Sequence, residues 1–343
     1  MGRQPIPLHE IALRAGVSDA TVDRVVHGRE GVRVTTAAQV RRAIAELTRQ
    51  QEEFELGGRT FVIDLVMHTP ARFSTAVRQA FEAEVPLLRP AVFKIRPKLF
   101  SRGAPEGVAE ILRGIAARGS HGVVLKASDE PPIVAAVAHL VAKGIPVITL
   151  VTDLPASARL AYVGIDNRAA GATAAYLVGN WLGPGDGTVL LTLSSSRFRG
   201  EEEREAGFRA LVRSERPDLR IVDLAETEGL DHTISKQVAQ VAQRERIDAV
   251  YSIGGGNRSL LQALAKAGQH PRVVVAHDLD EENTALLANG KVSAVLHHDL
   301  RGDARRICRL LMQAHGAVPG VPRTEYSSVT VVTPHNLPVG EPA

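Results

Sequence analysis

The sequence predicts a small all-α head followed by a much larger α/β body in two lobes. Three observations carry that expectation. From Leu8 to Leu47 apolar residues recur at three- and four-residue steps, the period of short helices. After Gly57-Gly58 short β-rich runs alternate with helix-sized stretches, the pattern of parallel sheets covered by helices. The 343 residues, 44% hydrophobic and 23% charged, supply a full core and exceed one ordinary domain. General disorder is excluded by the same composition.

In the head, Leu8, Ile11, Ala12 and Ala15 share one face of a first helix, which Gly16 ends by taking a positive φ. Ser18 is placed to cap a second helix, Asp19 to about His27. There Val22, Val25 and Val26 form the inward stripe, and Asp19, Ala20, Asp23, Arg24 and His27 point outward. Gly28 ends it, and a third helix from about Thr35 adds Val40, Ala43, Ile44 and Leu47 to the core. Two helices joined by a tight Gly turn, with Arg outside on the second, suit a helix-turn-helix that lays its second helix in a major groove. A generic three-helix cap needs the same turn and stripe, so periodicity leaves both open.

Charge points the same way. The formal net charge of +3 arises in residues 1–50, where eight Arg face five carboxylates, and the rest of the chain is balanced. The lone Cys308 forbids an intramolecular disulfide, and no run approaches the roughly 18 to 20 apolar residues that cross a bilayer. The opening Met1–Pro7 lacks the apolar core of a secretory signal, so the expected location is the cytoplasm.

The stretch IALRAGVSDATVDRVVHGREGVRVTTAAQVRRAIAEL resembles the DNA-binding head of the LacI/GalR family of bacterial transcription regulators. Ile11, Ala12, Ala15, Gly16, Val17, Ser18, Thr21, Val22, Arg24, Val25 and Gly28 fall on that family's pattern. The resemblance implies that Asp19, Ala20 and Arg24 face base edges: Arg grips guanine, a carboxylate accepts from cytosine, and an alanine methyl touches thymine. It places Ser18 on the same DNA-facing edge and Thr21, Arg33 and Thr36 on backbone phosphate. Asp19 at a helix start also stabilises the dipole. Asp23 replaces the family's small hydroxyl residue, and its charge repels phosphate. The family's Tyr-x-Pro-Asn stretch and groove-entering hinge helix are replaced by Thr48 to Gly58, with three glutamates. The expected division is therefore a DNA-binding domain at 1–50, a linker at 51–59 with an atypical hinge, and a two-lobed effector-binding and dimerisation domain at 60–343.

Strands are expected at Phe61–Met67, Ala91–Arg96, Gly122–Leu125, Val147–Val151, Ala161–Ile165, Thr188–Leu193, Leu219–Leu224, Ala249–Ile253, Arg272–Ala276 and Val292–Leu296. So many imply two sheets, with the chain crossing between lobes near Ala161. Two Rossmann-like lobes make a cleft at the carboxyl ends of their strands. The body resembles the type 1 periplasmic-binding-protein fold, the effector domain of the same family, through YVGIDNRAAG at 162–171, Arg204 before Gly207-Phe208, Asn257, VVVAHD at 273–278 and AVLHHD at 294–299. The resemblance puts Asp166, Arg204, Asn257, Asp278 and His298 in that cleft, a mix of acceptors, donors and a two-pronged cation that suits a polyhydroxy ligand. His68, Phe73 and Asp153 follow first-lobe strands and would complete the site. Each has a plainer role available: Asp166 and Asn257 as helix caps, Arg204 as a partner of Glu201 or Asp218.

The glycines of YSIGGGNRSLLQAL lack both GxGxxG spacing and a P-loop ending, which favours a close-packed cleft loop over a nucleotide site. His297 and His298 are strand neighbours on opposite faces, so no metal is assigned, and no cofactor is implied. The chain is thus expected to be a ligand-responsive regulator, a repressor binding a partly palindromic operator as a homodimer, and not an enzyme. The rivals are a cytoplasmic sugar-binding or sugar-converting α/β enzyme and a transport receptor.

Overall fold

A computed structural model describes residues 6–101, 103–227 and 231–338; the opening Met1–Pro5 lies outside them. The head consists of α1 (Leu8–Ala15), α2 (Asp19–Val26) and α3 (Val34–Leu56). Gly16 takes φ 66°, turning the chain out of α1. The Ser18 hydroxyl then accepts from the Thr21 N–H at 3.4 Å and meets the Thr21 hydroxyl at 2.9 Å. Ile11, Ala12, Val22, Val40, Ala43 and Leu47 form the miniature core, with Val25 and Ile44 partly buried against it. Val26, expected inward, is 50% exposed, because the short α2 turns only its Val22 side fully onto the other helices. The third helix outruns its expected end: residues 51–56 of the linker continue α3. The side chains of 51–56, including those of the three glutamates, lie outside the described residues.

The body has two six-stranded sheets. The first contains β1 (Thr60–His68), β2 (Val92–Phe100), β3 (Gly122–Lys126), β4 (Val147–Leu150), β5 (Ala161–Ile165) and β11 (Glu325–Ser327), in the order β11-β5-β4-β3-β1-β2. The second contains β6 (Gly187–Thr192), β7 (Leu219–Leu224), β8 (Ala249–Ser252), β9 (Val273–His277), β10 (Ala294–His297) and β12 (Thr330–Val332), in the order β12-β10-β9-β8-β6-β7. Every pairing is parallel except β10 with β12. All ten expected strands form, β2 extending four residues further to Phe100. The three-residue β11 and β12 are additions, too short to leave an apolar run.

The crossing expected near Ala161 falls after Ile165, since β5 pairs with β4 and completes the first sheet. The chain returns after β10 through α12 (Leu300–Ala314), whose Ala304, Ile307, Cys308 and Leu311 pack into the first-lobe core with Phe61 and Ile63. It crosses a third time between β11 and β12. A buried polar knot ties two of these crossings: Asp303 of α12 accepts from His298 Nδ1 at 2.7 Å, from Arg306 Nη1 at 2.9 Å and from the Ser327 hydroxyl.

The remaining helices are α4 (Ala71–Glu84), α5 (Pro105–Arg118), α6 (Pro131–Ala142), α7 (Asn167–Leu182), α8 (Arg199–Glu215), α9 (Asp231–Ala242), α10 (Asn257–Lys266) and α11 (Glu281–Ala288). The second lobe packs α7 on α8 at close range. A Cβ on Gly171 would overlap the Arg204 carbonyl, and one on Gly207 the Arg168 carbonyl. Two helix backbones meet there because neither carries a side chain, and that approach sets the height of Arg204. No described helix is long and apolar enough to cross a membrane.

Candidate ligand cleft and nucleic-acid interface

The carboxyl ends of both sheets face one cleft of about 620 Å³, part of it open to solvent. Its first-lobe wall includes Thr69, Arg72, Phe73, Lys126 and Thr152; the second lobe contributes Ser194, Phe198, Glu201, Arg204, His277, Asp278, Asp280 and Asn283. Contacts already span it. Arg72 pairs with Asp280 at 3.4 Å, and the Gly200 N–H donates to the Thr152 hydroxyl at 2.9 Å.

Of the residues expected from sequence, Phe73, Arg204 and Asp278 line the cleft. Three more stand behind the lining. His68 stacks on Phe100 and meets Phe198 edge-on. Asn257 Nδ2 donates to Asn283 Oδ1 at 2.7 Å, while Asn283 donates to the carbonyls of His277 and Asp278. His298 Nε2 lies 3.8 Å from Asp278 Oδ1. These neighbours hold Asp278, a non-glycine residue at φ 64°, in a sparsely populated backbone conformation.

Asp153 and Asp166 are not in the lining. Asp153 is consumed by a bidentate pair with Arg159, the Thr149 hydroxyl at 2.7 Å and the Leu154 N–H at 2.8 Å. Asp166 is exposed and caps α7, accepting from the Ala169 N–H at 2.9 Å. Its neighbour Asn167 does the inward work: it accepts from Arg204 Nε at 2.8 Å and donates to the Val151 carbonyl at 3.0 Å. Asn257 does not cap α10 either; Gly256 occupies that position.

Lys126, Glu201, Arg72, Asp280, His277, Asn283 and Asn167 went unforeseen. Lys126 left one signal, a charge closing the otherwise apolar Gly122-Val-Val-Leu run. Glu201 sits in a run of three glutamates that hides it, yet it accepts from the Ser194 N–H and hydroxyl and from the Ser195 N–H. The triple-glycine loop is closely packed as expected: a Cβ on Gly254 would strike the Ser194 backbone, and Gly255 and Gly256 take φ 80° and 73°.

Burial sets the protonation of the cleft. It pushes the Lys126 ammonium down to about 8, opposed by Glu201 and Asp278 and helped by Arg204. It pushes the Asp280 carboxyl up to about 6 against the pull of Arg72. His277, wholly enclosed and near Arg204, is held well below the usual imidazole range. Its Nε2 meets the Tyr251 hydroxyl at 2.8 Å.

On the head, Ser18, Asp19, Ala20 and Arg24 are exposed along one edge of α2, with Thr21 and Thr36 half-buried and Arg33 exposed beside them. The Arg24 side chain has no hydrogen bond or ion pair among the described residues, whereas Asp19 lies 3.6 Å from His9. Asp23 is already compensated, accepting from Arg29 at 2.8 Å and meeting His27 at 2.9 Å, so its repulsion of phosphate is muted.

Comparison with known proteins agrees with this geometry. The family model for bacterial regulatory proteins of the lacI family matches residues 7–48, and the model of the periplasmic binding protein domain matches residues 64–316. Among solved structures the chain is similar to GanP, a glucose-galactose binding protein from Geobacillus stearothermophilus, with TM-score 0.72, 20% identity, and 82% of this chain and 100% of that one covered. An ABC transporter solute binding protein from Agrobacterium vitis with bound D-fucose gives 0.70 and 17%, covering 81% and 96%. A protein assigned as a LacI transcriptional regulator, from Bacteroides fragilis, gives 0.68 and 16%, covering 81% and 98%. No curated protein matches. With a helix-turn-helix head joined to a periplasmic-binding-protein body, the chain belongs to the lacI family of bacterial regulatory proteins.

Proposed function

We propose that the protein is a cytoplasmic repressor that binds a partly palindromic operator as a homodimer and senses a sugar or sugar-like molecule between its lobes. One observation carries the sensing half. Buried polar atoms without a partner gather at the cleft: Arg204 Nη2, Asp278 Oδ1 and His277 Nδ1, backed by His68 Nδ1, Asn257 Oδ1 and His298 Nε2. Each such atom costs about 1 to 3 kcal/mol unless paired. Hydroxyl groups both donate and accept, so a polyol satisfies this mixture, while the Phe73 ring offers an apolar face. The sugars named for GanP and for the Agrobacterium vitis protein support the same class.

In this reading Arg24 reads a base, with Asp19 and Ala20 beside it, and Ser18, Thr21, Arg33 and Thr36 fix the head on the backbone. Residues 1–50 form the DNA-binding unit, 51–59 the connection and 60–343 the sensing and dimerising body. A head of this size makes too few contacts to find one site alone, hence the paired half-sites. Ligand favours the closed cleft and alters the angle between lobes across the three crossings, which respaces the paired heads. The size of the response is set by the ligand's differential affinity for the two states. The test joins a carbohydrate thermal-shift screen to a gel-shift assay on operator DNA. A sugar that raises the melting point and releases the operator is expected. Binding of every duplex alike, with no response to any carbohydrate, would overturn the reading.

A further inference from the structure

Lys126 closes β3, a strand with every residue buried, and is itself 8% exposed. Its ammonium lies 4.4 Å from the Phe198 ring centroid and 5.8 Å from that of Phe73, one ring from each lobe. Among the described residues nothing hydrogen-bonds or ion-pairs with it. The carboxylates nearby are largely committed: Glu201 to the Ser194 and Ser195 donors, Asp280 to Arg72 and the Asn283 N–H. Arg204 spends Nε on Asn167 and keeps Nη2 buried and unpartnered. What remains uncommitted in the lining is two cations, Lys126 and Arg204, against one anionic oxygen, Asp278 Oδ1.

An ammonium held between aromatic faces and facing a second cation is completed by an acceptor-only anion. The formal charges of the lining cancel, Arg72, Lys126 and Arg204 against Glu201, Asp278 and Asp280; what stays open is two cationic donor groups, which the two oxygens of one carboxylate satisfy, while a phosphate dianion adds a further negative charge. Hydroxyls on the same molecule can donate to Asp278. Resting on the sugar-sensing assignment above, we propose that Lys126 is a specificity-determining residue and that the effector is a sugar acid, a polyhydroxy carboxylate whose anionic end lodges between Lys126 and Arg204.

The test is calorimetric titration of the full chain with five- and six-carbon aldonates and uronates, each beside the aldose or alditol and the phosphate ester of the same stereochemistry. An acid should bind about tenfold or more tightly than its neutral counterpart. Lys126→Gln should erase that preference without loss of the folded state, and Lys126→Arg should keep it. The pH profile separates charge from packing. Wild-type affinity for the acid should fall as the pH rises through about 8, where Lys126 loses its proton, while the arginine variant stays level. The other groups around this ammonium are Glu201, Asp278, Arg204 and His68, and the imidazole, lowered by burial, titrates below this window. If Lys126→Gln does not fold, the arginine variant and the profile decide. A neutral sugar or phosphate ester bound as tightly as the acid, or a glutamine variant with the preference intact, overturns the proposal and leaves sugar sensing standing. No binding by any carbohydrate overturns both.

Discussion

Asn167 holds Arg204: its side-chain oxygen accepts from Arg204 Nε at 2.8 Å while its amide nitrogen donates to the Val151 carbonyl at 3.0 Å. One residue at the start of α7 thus fixes the cleft arginine of the second lobe against the end of a first-lobe strand. Asn167→Ala removes these two bonds and a third, donated to the Tyr162 hydroxyl at 3.2 Å, and leaves the guanidinium short of another partner, at a cost of about 1 to 3 kcal/mol. The melting-point rise produced by effector should shrink while operator affinity in a gel shift is retained. An unchanged rise would show that Arg204 needs no such support.

Glycine packing between α7 and α8 predicts a contrast. Gly207→Ala drives a Cβ into the Arg168 carbonyl, so the helices must part, costing about 1 to 3 kcal/mol and displacing Arg204. Gly114→Ala, in open space on α5, should instead be neutral or stabilise by up to about 1 kcal/mol. Denaturant unfolding of both variants measures the difference; equal midpoints would contradict the close approach.

On the head, Ser18→Ala deletes the cap of α2 and should cost about 1 kcal/mol of head stability. Arg24→Ala should lose about 1 to 3 kcal/mol of specific binding and relax preference at one base pair. Selection from random duplexes reads this directly, and recovery of one motif from parent and mutant alike would remove Arg24 from base reading.

Acid should weaken the fold. Burial holds His68 and His277 below the ordinary imidazole value and pushes His297 down to about 4. An unfolded imidazole binds its proton near 6.5, so the stability these groups allow above that pH is lost as pH falls below it. Asp280 works the other way: its carboxyl, raised to about 6, protonates in the folded chain first and favours the fold as pH drops from there toward 3.8. Three imidazoles against one carboxyl leave a net loss on the order of 1 to 3 kcal/mol per pH unit. Melting curves at pH 7, 6 and 5 check the sign, and His277→Gln should flatten the slope.

Much of the molecule was legible because its signals are local. Helix period, the Gly16 turn and the Ser18 cap mark the head, and ten apolar runs mark the sheets. Arg204 and Asp278 could be placed through the family resemblance, and Phe73 because it follows a first-lobe strand whose end faces the cleft. Other features were set at longer range. In sequence a cap and a ligand contact look alike, and only the entry angle of α7 decides that Asp166 faces solvent while Asn167 faces Arg204.

The sequence by itself determined the two-part architecture, the strand inventory apart from its two shortest members, and the cationic head, since all follow from periodicity, capping and charge along neighbouring residues. Tertiary structure alone decided where the chain crosses between lobes, which carboxylates are consumed by arginines, and that Lys126 and Phe198 meet across the cleft. The Arg72–Asp280 pair and the Lys126–Phe198 contact join residues dozens to hundreds of positions apart, and even the six-residue Asp153–Arg159 pair depends on a loop conformation; the physics is desolvation and pairing in a shared interior, for which no local pattern exists.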